Sequence, residues 1–433
     1  MSKIHFLIAA ASSGSGKTTF TMGMLRALRN RNLKVQPFKC GPDYIDTQYH
    51  TLAAGTQSVN LDTWMASPAH VRDLFTRYGN DADACVVEGV MGLFDGSRKS
   101  EGSSADIAKH LDLPVILLVN AKSTAYSVAP LIFGFKNFDK SVNITGVIFN
   151  QVSSESHFSF LKDACDDAGV ECLGYLPKLS GMEIPSRHLG LSLEHLAEQE
   201  KLINRVAEEI ERHVDMDKLF ELTAATVHSH EYSADSEAAE NKLRIAVARD
   251  NAFNFTYREN IRKLSEKGEI IYFSPIADSK LPDNIDFLYL PGGYPEFYLE
   301  ELSANKTMLC SIADYIENGG KAFAECGGMM YLCKSIIGMD GKQYPVVGVL
   351  DNVATMESMK LHLGYRKFIY KDREIRGHEF HYSSVKEENL ESVVNQYSAR
   401  NTLCPTPVYR YKNLIAGYTH WYWGEFDLLE LIP

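Results

Sequence analysis

The sequence predicts an α/β protein made of two domains in tandem. In the first half of the chain, short apolar runs alternate with helical patterns, which is typical of a doubly wound parallel sheet. A polar segment rich in Ser, Glu and Ala interrupts this alternation at 223–241, and the alternation restarts near Leu243. We therefore predict an α/β domain over 1–222, a linker over 223–242 and a second α/β domain over 243–433.

Length and composition limit the class of protein. A chain of 433 residues is too long for one ordinary core, and 45% hydrophobic with 23% charged residues is typical of a globular protein. Eight cysteines without C-x-x-C spacing, and an opening apolar run too short for a signal peptide, predict a reduced protein of the cytoplasm. No apolar run reaches the roughly 20 residues that span a bilayer, so we expect no membrane partner. The net charge of -12 argues against nucleic acid as a partner, and a homodimer is compatible with all of these features.

Five apolar segments are expected to form the parallel sheet of the first domain. Enough chain separates each from the next for a crossover helix. The segments are "IHFLIAA", "KVQPFK", "DACVVEG", "PVILLVNA" and "NITGVIFN".

The run "AASSGSGKTTF" follows the first of these strands and precedes a helical pattern. Backbone amides of such a glycine-rich turn cradle phosphate oxygens, and the helix N-terminus adds partial positive charge. Lys17 is placed to reach the terminal phosphates and Thr18 to ligate Mg²⁺. Ala11 stands where the strict pattern has glycine, so the loop is a variant. The predicted nucleotide site consists of Gly14, Ser15, Gly16, Lys17, Thr18 and Thr19.

Carboxylates follow two of the predicted strands. Glu88 ends the strand in "VVEGVMGLFDG" and Asp95 comes seven residues later, while Asp43 and Asp46 lie in "KCGPDYID". Acidic groups at strand ends near a phosphate loop commonly hold Mg²⁺, directly or through water. We therefore predict a magnesium site at this edge, with an exposed loop acid as the alternative for each position.

The second domain is expected to contain a nucleophilic cysteine. Its predicted strands are "LRIAVARD", "EIIYFSP", "DFLYLPGG" and "KAFAECGG". The last of them runs into Cys326 and two glycines before a helix, which is the shape of a nucleophile elbow with backbone amides near an oxyanion. A buried structural cysteine is the alternative.

A cysteine nucleophile needs a base, and histidine is the usual one. "GYTHWYWGEF" offers His420 at the end of an apolar segment. "RGHEFHYS" adds Arg376, His378, Glu379 and His381. A hydrogen-bonded structural role is the alternative for each histidine.

The motifs carry a family resemblance. In the order seen in cobyrinate a,c-diamide synthases, the chain contains "SSGSGKTT", "QPFKCGPDYID", "VVEGVMGLFDG", "IPSRHLGL", "LPGGYPE", "FAECGGMMYL", "RGHEFHYS" and "GYTHWYW". It therefore resembles that family over nearly its whole length. The resemblance implies a dethiobiotin-synthetase-like phosphate-loop domain followed by a class I glutamine amidotransferase-like domain. It also implies amidation of the a and c carboxylates of cobyrinate in cobalamin biosynthesis, with ATP, Mg²⁺ and glutamine.

The resemblance also implies roles for single residues. Cys326 would cleave glutamine with His420 as its base, although several relatives read H-x-H where this chain has His420-Trp421-Tyr422. Lys17 and Thr18 would contact nucleotide phosphates. The remaining assignments are Asp43, Glu88 and Asp95 for metal and carboxylate activation, Thr18, Asp43 and Glu88 as Mg²⁺ ligands, Tyr44 and Ile45 for the substrate carboxylate, and Gly292, Gly293 and Gly327 for the oxyanion. Arg187, His378, Glu379 and His381 receive no role.

Other interpretations stay open at this point. Hydrogenobyrinate and nickel sirohydrochlorin present similar carboxylates and are alternative substrates. A nucleotide switch of the partitioning-ATPase type commonly has an extra lysine near the start of the loop, where this chain has Ser12 and Ser13. A hydrolase that uses Cys326 on peptides, with a regulatory first domain, is a further alternative.

Overall fold

The computed structural model describes residues 3–179, 196–225 and 242–432. The chain divides into two compact units, Met1–Ala234 and Asp235–Pro433. Of the segment predicted as a linker, Thr223 is the last residue of a helix, 224–225 form a short strand, and 226–241 lie outside the described residues. The motif "IPSRHLGL", with Arg187, also lies outside them. No helix in the described ranges has both the length and the apolar character needed to cross a bilayer.

The first unit alternates strands and helices along the chain. Its elements are β1 (Lys3–Ala10), α1 (Lys17–Asn30), β2 (Val35–Cys40), α2 (Ile45–Ala54), β3 (Val59–Leu61), α3 (Pro68–Gly79), β4 (Ala84–Glu88), α4 (Ser104–His110), β5 (Val115–Asn120), α5 (Ala129–Phe138), β6 (Ile144–Val152), α6 (Glu155–Ala168), β7 (Glu171–Pro177), α7 (Leu196–His213), α8 (Met216–Thr223) and β8 (Ala224–Ala225).

The strands of this unit form one sheet that is parallel except for β8. The order is β3-β2-β4-β1-β5-β6-β7, and β8 pairs antiparallel with the start of β1. All five strands predicted from apolar runs are present. Most of their residues are buried, as is typical of parallel sheets that are covered on both faces. Strand order reverses at β1, so the loop after β1 lies at a topological switch point, where α/β sheets bind ligands.

The second unit contains more strands than helices. Its elements are β9 (Leu243–Ala248), α9 (Arg258–Lys267), β10 (Gly268–Phe273), β11 (Phe287–Leu290), α10 (Leu299–Ala304), α11 (Lys306–Glu317), β12 (Lys321–Glu325), α12 (Gly327–Leu332), β13 (Cys333–Ile337), β14 (Gln343–Pro345), β15 (Leu350–Thr355), β16 (His362–Tyr370), β17 (Arg373–His381), β18 (Ser384–Glu388), β19 (Gln396–Ser398), β20 (Leu403–Cys404), β21 (Val408–Tyr411), β22 (Leu414–Gly417) and β23 (His420–Trp421).

The central sheet of the second unit has the order β10-β9-β11-β12-β22-β21. The four predicted strands form its first part, and only the β21–β22 pair is antiparallel. Two smaller sheets, β14-β13-β15-β18 and β20-β19-β16-β17-β23, were not predicted. The second of these carries His378, Glu379, His381 and His420.

Apolar side chains cover both faces of the central sheet. Along β11, Leu288 and Leu290 belong to one buried cluster, while Phe287 and Tyr289 belong to the other. This division follows from the alternation of side chains along a strand. The second cluster includes Trp421 and Trp423, so the residues that follow His420 are anchored in the core.

Candidate active sites

The phosphate loop connects β1 to α1 at the switch point of the first sheet. Gly14 and Gly16 adopt φ angles of 75° and 91°, which favour glycine. The Nδ2 atom of Asn150, from β6, donates a hydrogen bond of 2.9 Å to the carbonyl oxygen of Ser15. A Cβ atom at position 16 would lie 2.2 Å from that Nδ2, so glycine is required there by space as well as by conformation.

The side chain of Lys17 bends back toward the start of the loop. Its Nζ donates to the carbonyl oxygens of Ser12, at 3.3 Å, and of Met91. Met91 belongs to the segment after β4, which is tied to β1 by a 2.8 Å bond from the amide of Leu93 to the carbonyl of Ala10. The ammonium group therefore lies beside the loop amides, where it would meet phosphate oxygens.

A buried ionic network lies directly below the loop. The carboxylate of Glu88 accepts hydrogen bonds from Thr18 Oγ1 at 2.9 Å, Lys39 Nζ at 2.7 Å and His50 Nε2 at 2.6 Å. Asp46 Oδ2 joins the same network, 2.7 Å from Lys39 Nζ and 3.3 Å from Thr18 Oγ1. All five side chains are buried.

The charges of this network are fixed by its contacts. Burial by itself would raise the pKa of Glu88, but Lys39 and His50 hold that pKa well below its usual range. Burial would likewise lower the pKa of Lys39, but Asp46, Glu88 and Asp43 raise it. Glu88 is therefore ionised and Lys39 protonated at neutral pH. Hydroxyl and carboxylate oxygens in one place are the ligands that Mg²⁺ prefers.

Asp43, Tyr44 and Ile45 lie at the start of α2. Oδ1 of Asp43 accepts hydrogen bonds from the amides of Ile45, at 2.9 Å, and Asp46, at 2.8 Å, and so begins the helix. Tyr44 and Ile45 are both buried at this helix start. Asp95 is exposed, and its Oδ2 accepts a 2.9 Å hydrogen bond from the amide of Gly92.

The structure thus brings Thr18 and Glu88, two of the predicted Mg²⁺ ligands, into contact and places Asp46 beside them. Sequence reasoning missed three contributors. Lys39 lies inside the quoted motif "KCGPDYID", and His50 follows Asp46 by four residues on one helix face. The sequence could therefore have predicted that both lie near the acidic residues. Asn150 gave none.

In the second unit, Cys326 forms a sharp turn between β12 and α12. Its backbone has φ 48° and ψ −109°, a strained conformation for a residue with a side chain. The Cys326 amide donates to the carbonyl of Gly417 at 2.7 Å, and its own carbonyl accepts from the amide of Met330 at 3.0 Å. These bonds hold the turn that the sequence predicted.

The thiol of Cys326 is buried and points toward β17. It donates to the carbonyl oxygen of Phe380 across a sulfur–oxygen distance of 3.8 Å. Burial, together with the carboxylate of Glu296, raises the pKa of the thiol well above its usual range, while the amide of Gly327 opposes this shift. Cys326 is therefore protonated at neutral pH and needs a base to become a nucleophile.

His420 begins β23 and packs against the turn after β11. A Cβ atom on Gly292 would lie 2.2 Å from Cε1 of His420, so only glycine leaves room for the imidazole. The amide nitrogen of Gly293 lies 3.2 Å from the point where a Cβ on Gly327 would stand. The predicted oxyanion glycines therefore converge beside Cys326, with His420 packed on one of them.

Burial, helped by His378 and His381, holds the pKa of His420 well below its usual range. The imidazole is therefore neutral and able to accept a proton. The ring of His378 stacks on it with centroids 5.1 Å apart, while Nδ1 of His378 is 2.8 Å from the hydroxyl of Tyr257. On the other side, Oε2 of Glu325 lies 3.9 Å from Nδ1 of His420.

The other polar residues of "RGHEFHYS" have partners of their own. Nε2 of His381 is 2.8 Å from Oε1 of Glu379, which also accepts from Thr406 Oγ1 at 2.8 Å and pairs with Arg366. The partly exposed Arg376 pairs with Glu374 at 2.7 Å. These contacts favour structural roles for them and leave His420 as the candidate base beside the turn after β11.

Comparison with known proteins gives matches to both halves of the chain. Residues 6–191 match the family described as "CobQ/CobB/MinD/ParA nucleotide binding domain", and residues 244–427 match "CobB/CobQ-like glutamine amidotransferase domain". The cobyrinate a,c-diamide synthase of Caldanaerobacter subterraneus subsp. tengcongensis is 40% identical over 430 residues, 96% of this chain and 94% of that protein. That of Listeria innocua is 43% identical over 398 residues, 88% of this chain and 87% of that protein. The hydrogenobyrinate a,c-diamide synthase of Brucella ovis is 41% identical over 394 residues, 88% of this chain and 90% of that protein.

Proposed function

The chain belongs to the cobyrinate a,c-diamide synthase family, and from that premise we propose that it amidates the a and c side-chain carboxylates of cobyrinate with ATP and glutamine-derived ammonia. We assign the synthetase reaction to residues 1–222 and the glutaminase reaction to 243–433, with 223–242 as the linker. A cytoplasmic location and a homodimer stay predictions from sequence. The observation that carries the proposal is the presence of two separate chemical sites, one in each unit.

Amide formation requires that both partners be activated, which explains the two sites. A carboxylate oxygen is a poor leaving group, so ATP is used to make an acyl phosphate. Ammonia is mostly protonated at neutral pH, so glutamine supplies it unprotonated inside the protein. The phosphate loop with Lys17 and Glu88 serves the first task, and Cys326 with His420 serves the second.

We assign glutamine cleavage to the turn at Cys326. Neutral His420 takes the thiol proton, and the thiolate attacks the amide carbon of glutamine. The amides at Gly292, Gly293 and Gly327 stabilise the oxyanion. The C–N bond then breaks, ammonia leaves with the proton from His420, and water hydrolyses the glutamyl thioester.

We assign carboxylate activation to the phosphate loop and the acids around it. Lys17 offsets charge on the transferring phosphoryl group, and Tyr44 and Ile45 position the substrate carboxylate at the start of α2. Ammonia then attacks the acyl phosphate and phosphate leaves. Asp95, on the segment that packs against the loop, would assist this activation.

Thr18, Asp43 and Glu88 are proposed to hold Mg²⁺ for this reaction. Two of these three ligands fit a metal site, because the hydroxyl of Thr18 and the ionised carboxylate of Glu88 are already 2.9 Å apart. When bound, the ion would neutralise charge on the phosphate oxygens. In the described ranges no group of three or more His, Cys, Asp or Glu side chains is arranged to hold a metal ion. The proposed set contains only two carboxylates and a hydroxyl, so it is not a group of that kind.

Hydrogenobyrinate is the second candidate substrate. The relative from Brucella ovis that bears that name is 41% identical, within the range of the two cobyrinate relatives at 40% and 43%. Overall identity therefore does not separate a cobalt-containing ring from a metal-free one.

The test is ATP turnover with a panel of cobyrinate, hydrogenobyrinate and nickel sirohydrochlorin in the presence of glutamine, with product masses recorded. We expect turnover that depends on a tetrapyrrole and two carboxylate-to-amide exchanges with cobyrinate. ATP turnover that no tetrapyrrole stimulates would contradict the proposal and favour a nucleotide switch. Cleavage of peptides by Cys326 would favour a hydrolase.

A further inference from the structure

Glu325 is a buried carboxyl group to which the proposed reaction gives no task. It is the last residue of β12 and directly precedes Cys326. Its Oε1 accepts a 2.6 Å hydrogen bond from the amide of Trp421, and its Oε2 accepts a 2.6 Å hydrogen bond from the hydroxyl of Tyr289. The carboxyl group is therefore fixed from two sides, by β23 and by β11.

This fixed group faces His420. Its Oε2 is 3.9 Å from Nδ1 of His420, the ring nitrogen that a positioning group contacts when the other nitrogen acts as base. We propose that Glu325 is the positioning residue of the glutaminase site, orienting the Nδ1–H of His420 toward its carboxylate so that Nε2 faces the thiol of Cys326. This inference rests on the proposed glutaminase role of Cys326 and His420.

The neighbouring acid on β17 is engaged elsewhere. Glu379 pairs with Arg366 and accepts from His381 and Thr406. His378 presents its ring face to His420 and directs Nδ1 to Tyr257. Tyr422, two residues after His420, packs edge-on against Tyr257 with centroids 5.5 Å apart. A catalytic base needs a third group to orient it, and the carboxyl group of Glu325, 3.9 Å from Nδ1 of His420, reaches that nitrogen after a small shift.

The proton balance follows from this arrangement. In the competent state the carboxylate of Glu325 accepts from Nδ1–H, and Nε2 of His420 is open to the thiol proton. When the thiolate attacks, the proton moves from sulfur to Nε2, and the imidazolium is stabilised by the carboxylate. The same proton leaves with ammonia, so His420 returns to the neutral imidazole and Glu325 remains a carboxylate.

The pH dependence follows from the burial of the carboxyl group. Burial raises the pKa of Glu325 to about 8, against the lowering effects of Tyr289 and the Trp421 amide. The competent carboxylate therefore forms as the pH rises through about 8, and the activity of Cys326 should rise with it. The titratable groups that face the pair, or the thiol beside it, from neighbouring elements are Tyr257, Tyr289, Glu296, Cys326, His378, Glu379 and His381.

Three of these groups titrate far from that pH. Burial lowers the pKa of His378 to about 3, and burial with Glu325 holds the pKa of Tyr289 well above its usual range. Burial would raise the pKa of Glu379, but His381 and Arg366 bring it below its usual range. Burial also raises the pKa of Glu296, which acts on the Cys326 thiol, to about 7. A midpoint near pH 8 is therefore assigned to Glu325 by its shift in the variants below.

The experiment measures labelling of Cys326 by a diazoketone analogue of glutamine in the full-length protein, as a function of pH, by peptide mass spectrometry. We expect a midpoint near pH 8 for the wild type. Glu325→Gln should label at least tenfold more slowly at pH 8, with its midpoint at least one unit higher. Glu374→Gln, a change at an exposed acid of β17, is the control and should match the wild type.

Tyr289→Phe provides a second test that keeps the carboxyl group. Because the Tyr289 hydroxyl stabilises the charged form, its removal should raise the midpoint while the rate at high pH stays within twofold. If thermal unfolding shows that Glu325→Gln is not folded, Tyr289→Phe decides alone. Labelling profiles of the folded variants that superimpose on the wild type overturn the proposal.

The labelling experiment can be interpreted even if the proposed tetrapyrrole substrate is wrong. Labelling needs only the glutamine site, so a wild type that is labelled but amidates no tetrapyrrole would overturn the substrate and leave the role of Glu325 supported by its own profile. A wild type that is not labelled at Cys326 would overturn both the nucleophile and the positioning role.

Discussion

Nε2 of His50 donates to Oε2 of Glu88 across 2.6 Å, and both side chains are completely buried. This hydrogen bond joins helix α2, which begins with the proposed substrate residue Ile45, to the end of strand β4. It therefore connects the carboxylate beside the phosphate loop to the helix that would hold the substrate.

Replacing His50 should therefore impair synthesis. We expect His50→Leu to lower amidation at least tenfold with either glutamine or ammonium as the nitrogen source, about 1.4 kcal/mol of transition-state stabilisation, because Glu88 loses one of its three partners. Glutamine hydrolysis should be unchanged. The matched control is His110→Gln, at a partly exposed position on α4. Amidation at the wild-type rate in His50→Leu would contradict the role of this hydrogen bond.

Lys17 is expected to be essential for the synthetase reaction. Lys17→Ala should lower amidation with either nitrogen source by a factor on the order of 10² or more, because charge on the transferring phosphoryl group is no longer offset. The measurement is ATP turnover with cobyrinate, and thermal unfolding shows whether the fold is kept. Lys34→Ala, at an exposed lysine of the same unit, is the control. ATP turnover retained in Lys17→Ala would refute the assignment.

The acids Asp43, Glu88 and Asp95 should matter for synthesis and not for glutamine hydrolysis. Alanine at any of the three should cripple amidation, because metal binding and acyl phosphate formation are assigned to the first unit. Asp43 also begins α2, and Asp95 holds the Gly92 amide. Asp43→Asn and Asp95→Asn keep a hydrogen-bond acceptor and remove only the charge, so they separate the two effects.

Raising the Mg²⁺ concentration completes this test. If Asp43 binds the ion, Asp43→Asn should need more Mg²⁺ for half-maximal ATP turnover than the wild type, whereas Asp95→Asn should not. Equal loss of glutaminase activity in all three alanine variants would show that the division between the units is wrong.

Cys326→Ala should separate the two reactions. Glutamine-dependent amidation should fall at least about a thousand-fold, because no thiolate can form. Activity with an ammonium salt should persist and increase with pH, since the fraction of free ammonia increases. His420→Asn should behave alike. The substitution at the turn removes only a thiol, so we expect a folding cost of no more than roughly 1–2 kcal/mol.

Two results would contradict this prediction. Normal use of glutamine by Cys326→Ala would make the cysteine structural. A folded Cys326→Ala protein that cannot use ammonia at any pH would mean that the thiol also takes part in synthesis, or that ammonia from solvent does not reach the acyl phosphate.

Gly292→Ala should damage the glutaminase site specifically. The new methyl group would lie 2.2 Å from Cε1 of His420, so the imidazole must move away from its position beside the turn. We expect at least a tenfold loss of glutamine hydrolysis, measured as glutamate release, with ammonia-dependent amidation retained. Gly134→Ala is the control, because a Cβ there meets no atom within 4 Å. Unchanged glutamate release in Gly292→Ala would disprove the close approach of the ring.

The sequence was sufficient where a structural feature is encoded locally. The strand β5 is a continuous apolar run, and it was predicted. The turn at Cys326 was also predicted, because an apolar strand precedes the cysteine and two glycines follow it. The pairing of Glu88 with Lys39 and His50 was not, because it depends on which strands become neighbours in the sheet. The small sheet around β16 and β17 was missed for the same reason. Its strands mix exposed and buried residues without a regular period.

The hydrogen bond from Asn150 to Ser15 joins residues 135 positions apart, and it fixes the shape of the phosphate loop. During synthesis on the ribosome, β1, the loop and α1 emerge long before β6, the strand that carries Asn150. A nascent chain that lacks β6 therefore contains every residue of the loop but not the side chain that holds it in place. We therefore expect tight nucleotide binding only after β6 has joined the sheet beside β5.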